Sequence, residues 1–143
     1  MKKRYFMVLS IIILSIILIY YFYPRKTTIG TVLSTNCNLE TIDKLYIRGI
    51  NSGNEKNFKS KAEINEILSY ISNTKIIRYF GDTSKNRTKG SFEICIYENS
   101  DDILCLYTLG KEYLIIWYKD NSSKTYEIID DSFDRDYMNK VLS

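Results

Sequence analysis

SFEICIYENSDDILCLYTLGKEYLIIWYKDNSSKTYEII, residues 91–129, decides the fold of this 143-residue chain. Four runs rich in Ile, Leu, Tyr and Phe, at 91–98, 103–109, 113–119 and 125–129, are separated by short polar pieces at 99–102, 110–111 and 120–124. Aromatic and β-branched residues suit a pleated, half-buried surface, and links this short join only antiparallel neighbours. The segment predicts an antiparallel meander.

Reading outward toward the N-terminus, GDTSKNRTKG (81–90) is a polar loop and KIIRYF (75–80) a further strand. Before it, Ser60 and Glu63 stand at the spacing of a capping box, in which each side chain satisfies a backbone N–H at a helix start. Ile64, Ile67, Leu68 and Ile71 then recur at i, i+3, i+4 and i+7, which predicts a helix over 61–72 with one apolar stripe. KLYIRGI (44–50) alternates as a strand, turns at Asn51-Ser52-Gly53-Asn54 and returns briefly at 57–59. Past the meander, a helix over 133–142 is expected, capped by Asp131 or Ser132, with Asp134 and Asp136 in the first turn where the helix dipole favours negative charge. The order β-β-α-β-β-β-β-β-α indicates the α+β class: an antiparallel sheet of about 5–7 strands with one helix packed on a face and a C-terminal helix.

At the other end, YFMVLSIIILSIILIYYFY (5–23) is uncharged and apolar around its whole circumference. As a helix it rises about 28 Å, so a single transmembrane helix acting as a signal anchor is expected. Lys2, Lys3 and Arg4 on one side, and Tyr20, Tyr21, Tyr23, Arg25 and Lys26 on the other, are the residue types that anchor helix ends at membrane interfaces. The greater basic count before the helix places the N-terminus in the cytoplasm and the domain outside. A cleaved signal peptide fits less well, because the run is long, no A-x-A-like site follows and Arg25 and Lys26 occupy the cleavage region. The expected organisation is a cytoplasmic stub (1–4), the anchor (5–23), a juxtamembrane segment (24–42) and one α+β domain (43–143). Over most of residues 40–143, this layout with its anchor resembles small extracytoplasmic domains of unknown function from low-GC Gram-positive bacteria. Element order and texture carry the resemblance, which implies location and fold and transfers no functional residue.

Twenty basic and 17 acidic residues give a net charge of +3, and Lys2, Lys3 and Arg4 account for that surplus. The remainder is balanced, without the basic excess that nucleic acid requires, and no nucleic-acid partner is expected. Lys75, Arg78, Lys85, Arg87 and Lys89 nevertheless form a local basic run, a candidate surface weighed against ordinary solvated charge. The chain has no histidine, which excludes Ser-His-Asp and Cys-His nucleophilic sites and His-built zinc sites. Asp130, Ser132, Asp134 and Asp136 alternate as in the start of a calcium loop, but Arg135 stands where its glycine belongs, and a helix N-terminus explains the acids. No catalytic residue, metal or cofactor is expected.

Cys95 and Cys105 lie on adjacent expected strands, and a register pairing Tyr97 with Ile103 sets them opposite one another. A one-residue slip puts them on opposite faces, so a disulfide and two small packed thiols both satisfy the pattern. Tyr97, Tyr107, Tyr113, Trp117, Tyr118 and Tyr126 populate the meander, and alternation sends some of them outward. The expectation that follows is a membrane-tethered, non-catalytic binding or regulatory domain whose partners are the lipid bilayer and an envelope protein or surface polymer. The alternatives are a carboxylate-dependent envelope enzyme and a small subunit assembled through its N-terminal helix.

Overall fold

The computed structural model describes residues 2–84 and 91–143, without the side chains of residues 2–4 and 22. The chain begins with helix α1 (Lys2–Phe22), then β1 (Lys26–Thr28), α2 (Ile29–Asn36), β2 (Ile42–Gly49) and β3 (Glu55–Phe58). There follow α3 (Lys61–Ser72), β4 (Lys75–Arg78), β5 (Phe92–Glu98), β6 (Asp101–Leu109), β7 (Tyr113–Tyr118), β8 (Ser123–Ile128) and α4 (Arg135–Leu142). One eight-stranded sheet runs β1-β4-β8-β7-β6-β5-β2-β3, and each of these pairings is antiparallel. The α+β class therefore holds, while the architecture expected from sequence is corrected on three points.

First, among the described residues the sheet has eight strands and there are four helices. The additional strand and one of the helices come from the segment 24–42, expected to be a connector. Lys26, Thr27 and Thr28 pair with Ile77, Ile76 and Lys75 at the sheet edge. Thr28 then caps α2 by accepting from the Thr31 N–H at 3.1 Å, and Ile29, Val32 and Leu33 are buried. α2 lies so close to α3 that a Cβ on Gly30 would meet Ser72 Cβ at 2.9 Å.

Second, among the described residues no helix is long and apolar enough to cross a membrane, which overturns the transmembrane helix expected over 5–23. Tyr5 near one end of α1, and Tyr20 and Tyr21 near the other, bring polar hydroxyls into the helix. What stands there is an exposed apolar helix: Ile11 to Ile13, Ile16, Ile17 and Ile19 are each about half exposed or more, between 46% and 64%.

Third, two helix starts differ from expectation. Ser60 is the N-cap of α3, but its side chain makes no capping hydrogen bond. Lys61 holds that end instead, donating from Nζ to the carbonyls of Leu39, Glu40 and Ile42 at 3.0, 2.8 and 3.2 Å. α4 starts at Arg135, capped by Asp134, which accepts from the N–H groups of Asp136 and Tyr137. Phe133 is thereby freed to pack against the core, with its ring 6.4 Å from that of Phe92.

The core occupies one face of the sheet. Ile64, Ile67, Leu68 and Ile71 of α3, Ile29 and Leu33 of α2, and Met138 and Leu142 of α4 close over Leu45, Ile47, Ile94, Ile96, Leu104, Leu106, Leu114 and Ile116. Tyr70 of α3 stacks on Tyr137 of α4 with centroids 3.8 Å apart, which joins the two helices.

Candidate binding face

With α2, α3 and α4 all packed on one side, the strands present their other side to solvent. Strand alternation assigns the residues. Register places Tyr46, Cys95, Cys105, Trp117 and Ser123 in one row across β2, β5, β6, β7 and β8. The next row carries Arg48, Glu93, Tyr107, Ile115 and Thr125.

Cys95 and Cys105 are joined by a disulfide, with Cα atoms 4.1 Å apart. The local register differs from the one considered above: Tyr97 faces Asp102 rather than Ile103, and an irregularity between Ile96 and Tyr97 absorbs the extra residue before Cys95 meets Cys105. The connection at the hairpin end has two residues, Asn99 and Ser100, with φ of 53° and 71°. Both central residues at positive φ is the turn geometry whose twist matches a right-handed hairpin. The third cysteine, Cys37, is a buried thiol at the end of α2; burial, with the Glu98 charge adding to it, pushes its pKa up to about 11. It is a packing residue and a poor nucleophile at neutral pH.

The aromatics divide by parity. Tyr97, Tyr107, Tyr113 and Trp117 belong to the open face, whereas Tyr118 and Tyr126 point to the helix-covered side. Trp117 is 45% exposed, a large apolar side chain left to solvent in the middle of a sheet. Beside it a shallow cleft of about 230 Å³ is bounded by Ile103, Cys105, Tyr107, Trp117 and Lys119.

Charges fix three tyrosines of the open face, of which Tyr107 also lines this cleft. Tyr107 donates its hydroxyl to Glu93 Oε1 at 2.6 Å; burial first and that hydrogen bond second push its pKa up to about 12. Tyr46 donates to Glu55 Oε2 at 2.6 Å, and this bond is the main cause of its raised pKa. Lys44 Nζ sits 3.6 Å from the centroid of Tyr97. All three rings are held in fixed orientations, which supplies flat contact area at small entropic cost on binding. Tyr46 joins these rings from outside the meander, and the alternation of 44–50 is the sequence signal that places it on this face.

The basic run does not form one surface among the described residues. Lys75 and Arg78 are three apart on β4 and therefore point to opposite faces, and the Lys75 backbone N–H donates to Asp130 at 3.2 Å. Lys85, Arg87 and Lys89 lie outside the described residues. Of the expected interface anchors, Tyr20, Tyr21 and Tyr23 are exposed at the end of α1, Arg25 lies over the Tyr20 ring at 4.4 Å and Lys26 opens β1. The side chains of Lys2, Lys3 and Arg4 lie outside the description.

An acidic cleft of about 440 Å³ gathers Asp130, Asp131, Asp134 and Asp136 with Arg135 and Lys111. Its acids serve the backbone: Asp134 caps α4, and Asp130 accepts from Lys75 N and from Ser132 Oγ at 2.5 Å. Burial raises the pKa of Asp130, but the hydrogen bonds from Ser132 and Lys75 together outweigh it and leave the carboxyl below its usual range. That is opposite to the shift a general acid requires. Among the described residues no group of His, Cys, Asp and Glu is arranged to hold a metal ion. No family model, curated protein or solved structure matches the chain.

Proposed function

We propose that this chain is a lipid-held, non-catalytic binding domain of the cell envelope, with its open sheet face turned to an envelope protein or surface polymer. The observation that carries the reading is the contrast between α1, apolar and exposed on every side, and a domain that closes its own core without using α1. Large exposed apolar patches mark sites covered by a membrane or a partner, and a helix apolar all round is matched by hydrocarbon. The disulfide suits an oxidising compartment, which supports the extracytoplasmic side and agrees with the resemblance to small extracytoplasmic domains. On the open face, Trp117 and three oriented tyrosines are the residue types enriched where proteins bind.

The test uses the full chain in its native membranes, with a photo-crosslinking residue at position 117 or, as control, at exposed Glu63 on α3. Membranes washed at alkaline pH should keep the chain, and position 117 should capture a discrete partner that position 63 does not. Release of the chain into the wash overturns the lipid-held reading. Equal or absent capture at both positions overturns the assignment of the open face.

A further inference from the structure

Where the chain leaves α1 and enters the sheet, a cleft of about 520 Å³ opens between Tyr20 and Arg25 on one wall and Arg78, Phe80, Lys124 and Tyr126 on the other. Its three cations come from separate stretches: the link after α1, the end of β4, and β8. None of the described residues lining it is acidic. Lys124 also feels the Asp120 carboxylate, which lies outside the cleft.

Each cation is held against an aromatic ring. Arg25 lies 4.4 Å from the centroid of Tyr20, Arg78 5.3 Å from Phe80 and 5.4 Å from Tyr126, and Lys124 5.3 Å from Tyr118. A ring face has no lone pair, so these contacts position the charges while leaving their N–H groups to find an acceptor. Arg78 uses one of its donors in a long bond of 3.4 Å to the Thr125 carbonyl. The Phe80 ring is 68% exposed and Tyr20 64%, on the rim where the exposed apolar surface of α1 begins. Preoriented guanidinium and ammonium donors beside exposed aromatic rings and an apolar helix match the two halves of one molecule, an anionic headgroup and its acyl chain.

We propose that this cleft binds the phosphate of an anionic membrane lipid, with Arg25, Arg78 and Lys124 on its oxygens and Phe80 at the glycerol and acyl level. The inference rests on the lipid-held reading and adds to it a headgroup preference. Its consequence is orientation: an occupied cleft fixes the β1–β4–β8 edge at the membrane surface.

The full-length protein is studied in detergent micelles doped with phosphatidylglycerol or phosphatidylcholine, with retained lipid counted by native mass spectrometry. A basic side chain near an anionic surface is worth about fivefold in affinity, so phosphatidylglycerol should be kept at least about tenfold more tightly than phosphatidylcholine. The triple variant Arg25→Gln/Arg78→Gln/Lys124→Gln should bring the two lipids level. Exposed Lys124→Gln alone, which leaves the fold intact, should lower the ratio by about fivefold. Equal retention of both lipids by the unmodified chain overturns the proposal, and displacement of the lipid by inorganic phosphate overturns it in favour of a free anion. Flotation with neutral vesicles separates the two readings. A chain that floats but shows no headgroup preference loses only the cleft assignment, whereas one that does not float loses the lipid-held reading as well.

Discussion

The two faces of the sheet are built from the same strands and differ in almost everything else. Along β6, Leu104 and Leu106 are each 1% exposed beneath the helices, while Cys105 and Tyr107, which alternate with them, turn to the open side. The covered face is aliphatic throughout its centre; the open face mixes a disulfide, phenols, an exposed indole and paired charges. Since alternate residues of one strand serve both, the difference teaches that stability and recognition are divided here by residue parity rather than by segment.

Replacement on the two faces should break the comparison or confirm it, with the largest effect on the covered side. Leu106→Ala removes buried methyl groups and leaves a cavity, which should cost about 2–5 kcal/mol. Trp117→Ala deletes a larger side chain but a partly solvated one, and should cost less than about 1 kcal/mol. Urea unfolding of both variants measures the pair. A Trp117 variant as damaged as the Leu106 variant would mean that the open face is packed against something in the folded protein.

The disulfide makes the open face more than a display surface. Cys95 and Cys105 are 10 residues apart, and closing a loop of that size in the unfolded chain stabilises the fold by about 2–3 kcal/mol in the chain-entropy account. Thermal melts with and without reductant should show a lower midpoint on reduction with the same starting spectrum. A Cys95→Ser/Cys105→Ser variant should then melt with the reduced protein and ignore reductant. An unchanged midpoint would leave the fold wholly to the covered face.

How far each face was legible in the sequence follows from the same parity. The helix stripe Ile64, Ile67, Leu68, Ile71 and the runs of the meander declare the covered face, because period and apolarity agree in them. Cys95 and Cys105 were legible as neighbours but not as partners. Their facing depends on one extra residue near Ile96 and Tyr97, and no alternation pattern encodes an irregularity of that kind. Residues 24–42 carry no element signal in the sequence, because Lys26–Thr28 is too short to show a period and Ile29–Asn36 has Ser, Thr and Gly in place of strong helix formers. Their burial comes from long-range pairing with β4 and from the fit of Gly30 against Ser72, both tertiary effects. The charge clusters failed for the reverse reason: proximity in sequence put Lys75 and Arg78 together, whereas the cleft cations Arg25, Arg78 and Lys124 meet only through the fold.

The hairpin turn below the disulfide offers a gain in place of a loss. Ser100 sits at φ 71°, a conformation that costs an L-residue other than Asn or Asp about 1–2 kcal/mol and glycine nothing comparable. Ser100→Gly produces the Asn-Gly pair favoured in this turn and should stabilise the protein by about 1 kcal/mol. It should do so equally in the oxidised and reduced forms, since the turn holds the register whether or not the sulfurs are joined. A gain confined to the reduced form would show that the disulfide already enforces the turn.

The smallest effect is expected at the end of the sheet, where neither face dominates. Asp130 follows β8 and accepts from the backbone N–H of Lys75, the first residue of β4, so one carboxylate ties two strands at their ends. Its pKa is held below the usual Asp range, so the folded state binds this proton less readily than the unfolded chain does. By linkage, the contribution to stability is complete above the ordinary Asp pKa of about 4 and disappears as pH falls through the lowered value. Asp130→Asn should therefore melt slightly below the unmodified protein near neutral pH, and the gap should close in acid. The central covered face holds only aliphatic side chains at Ile94, Ile96, Leu104, Leu106, Leu114 and Ile116, so it supplies no titration there to mask the change. A gap that stays constant into acid would assign the effect to the shape of the side chain and remove its charge from the account.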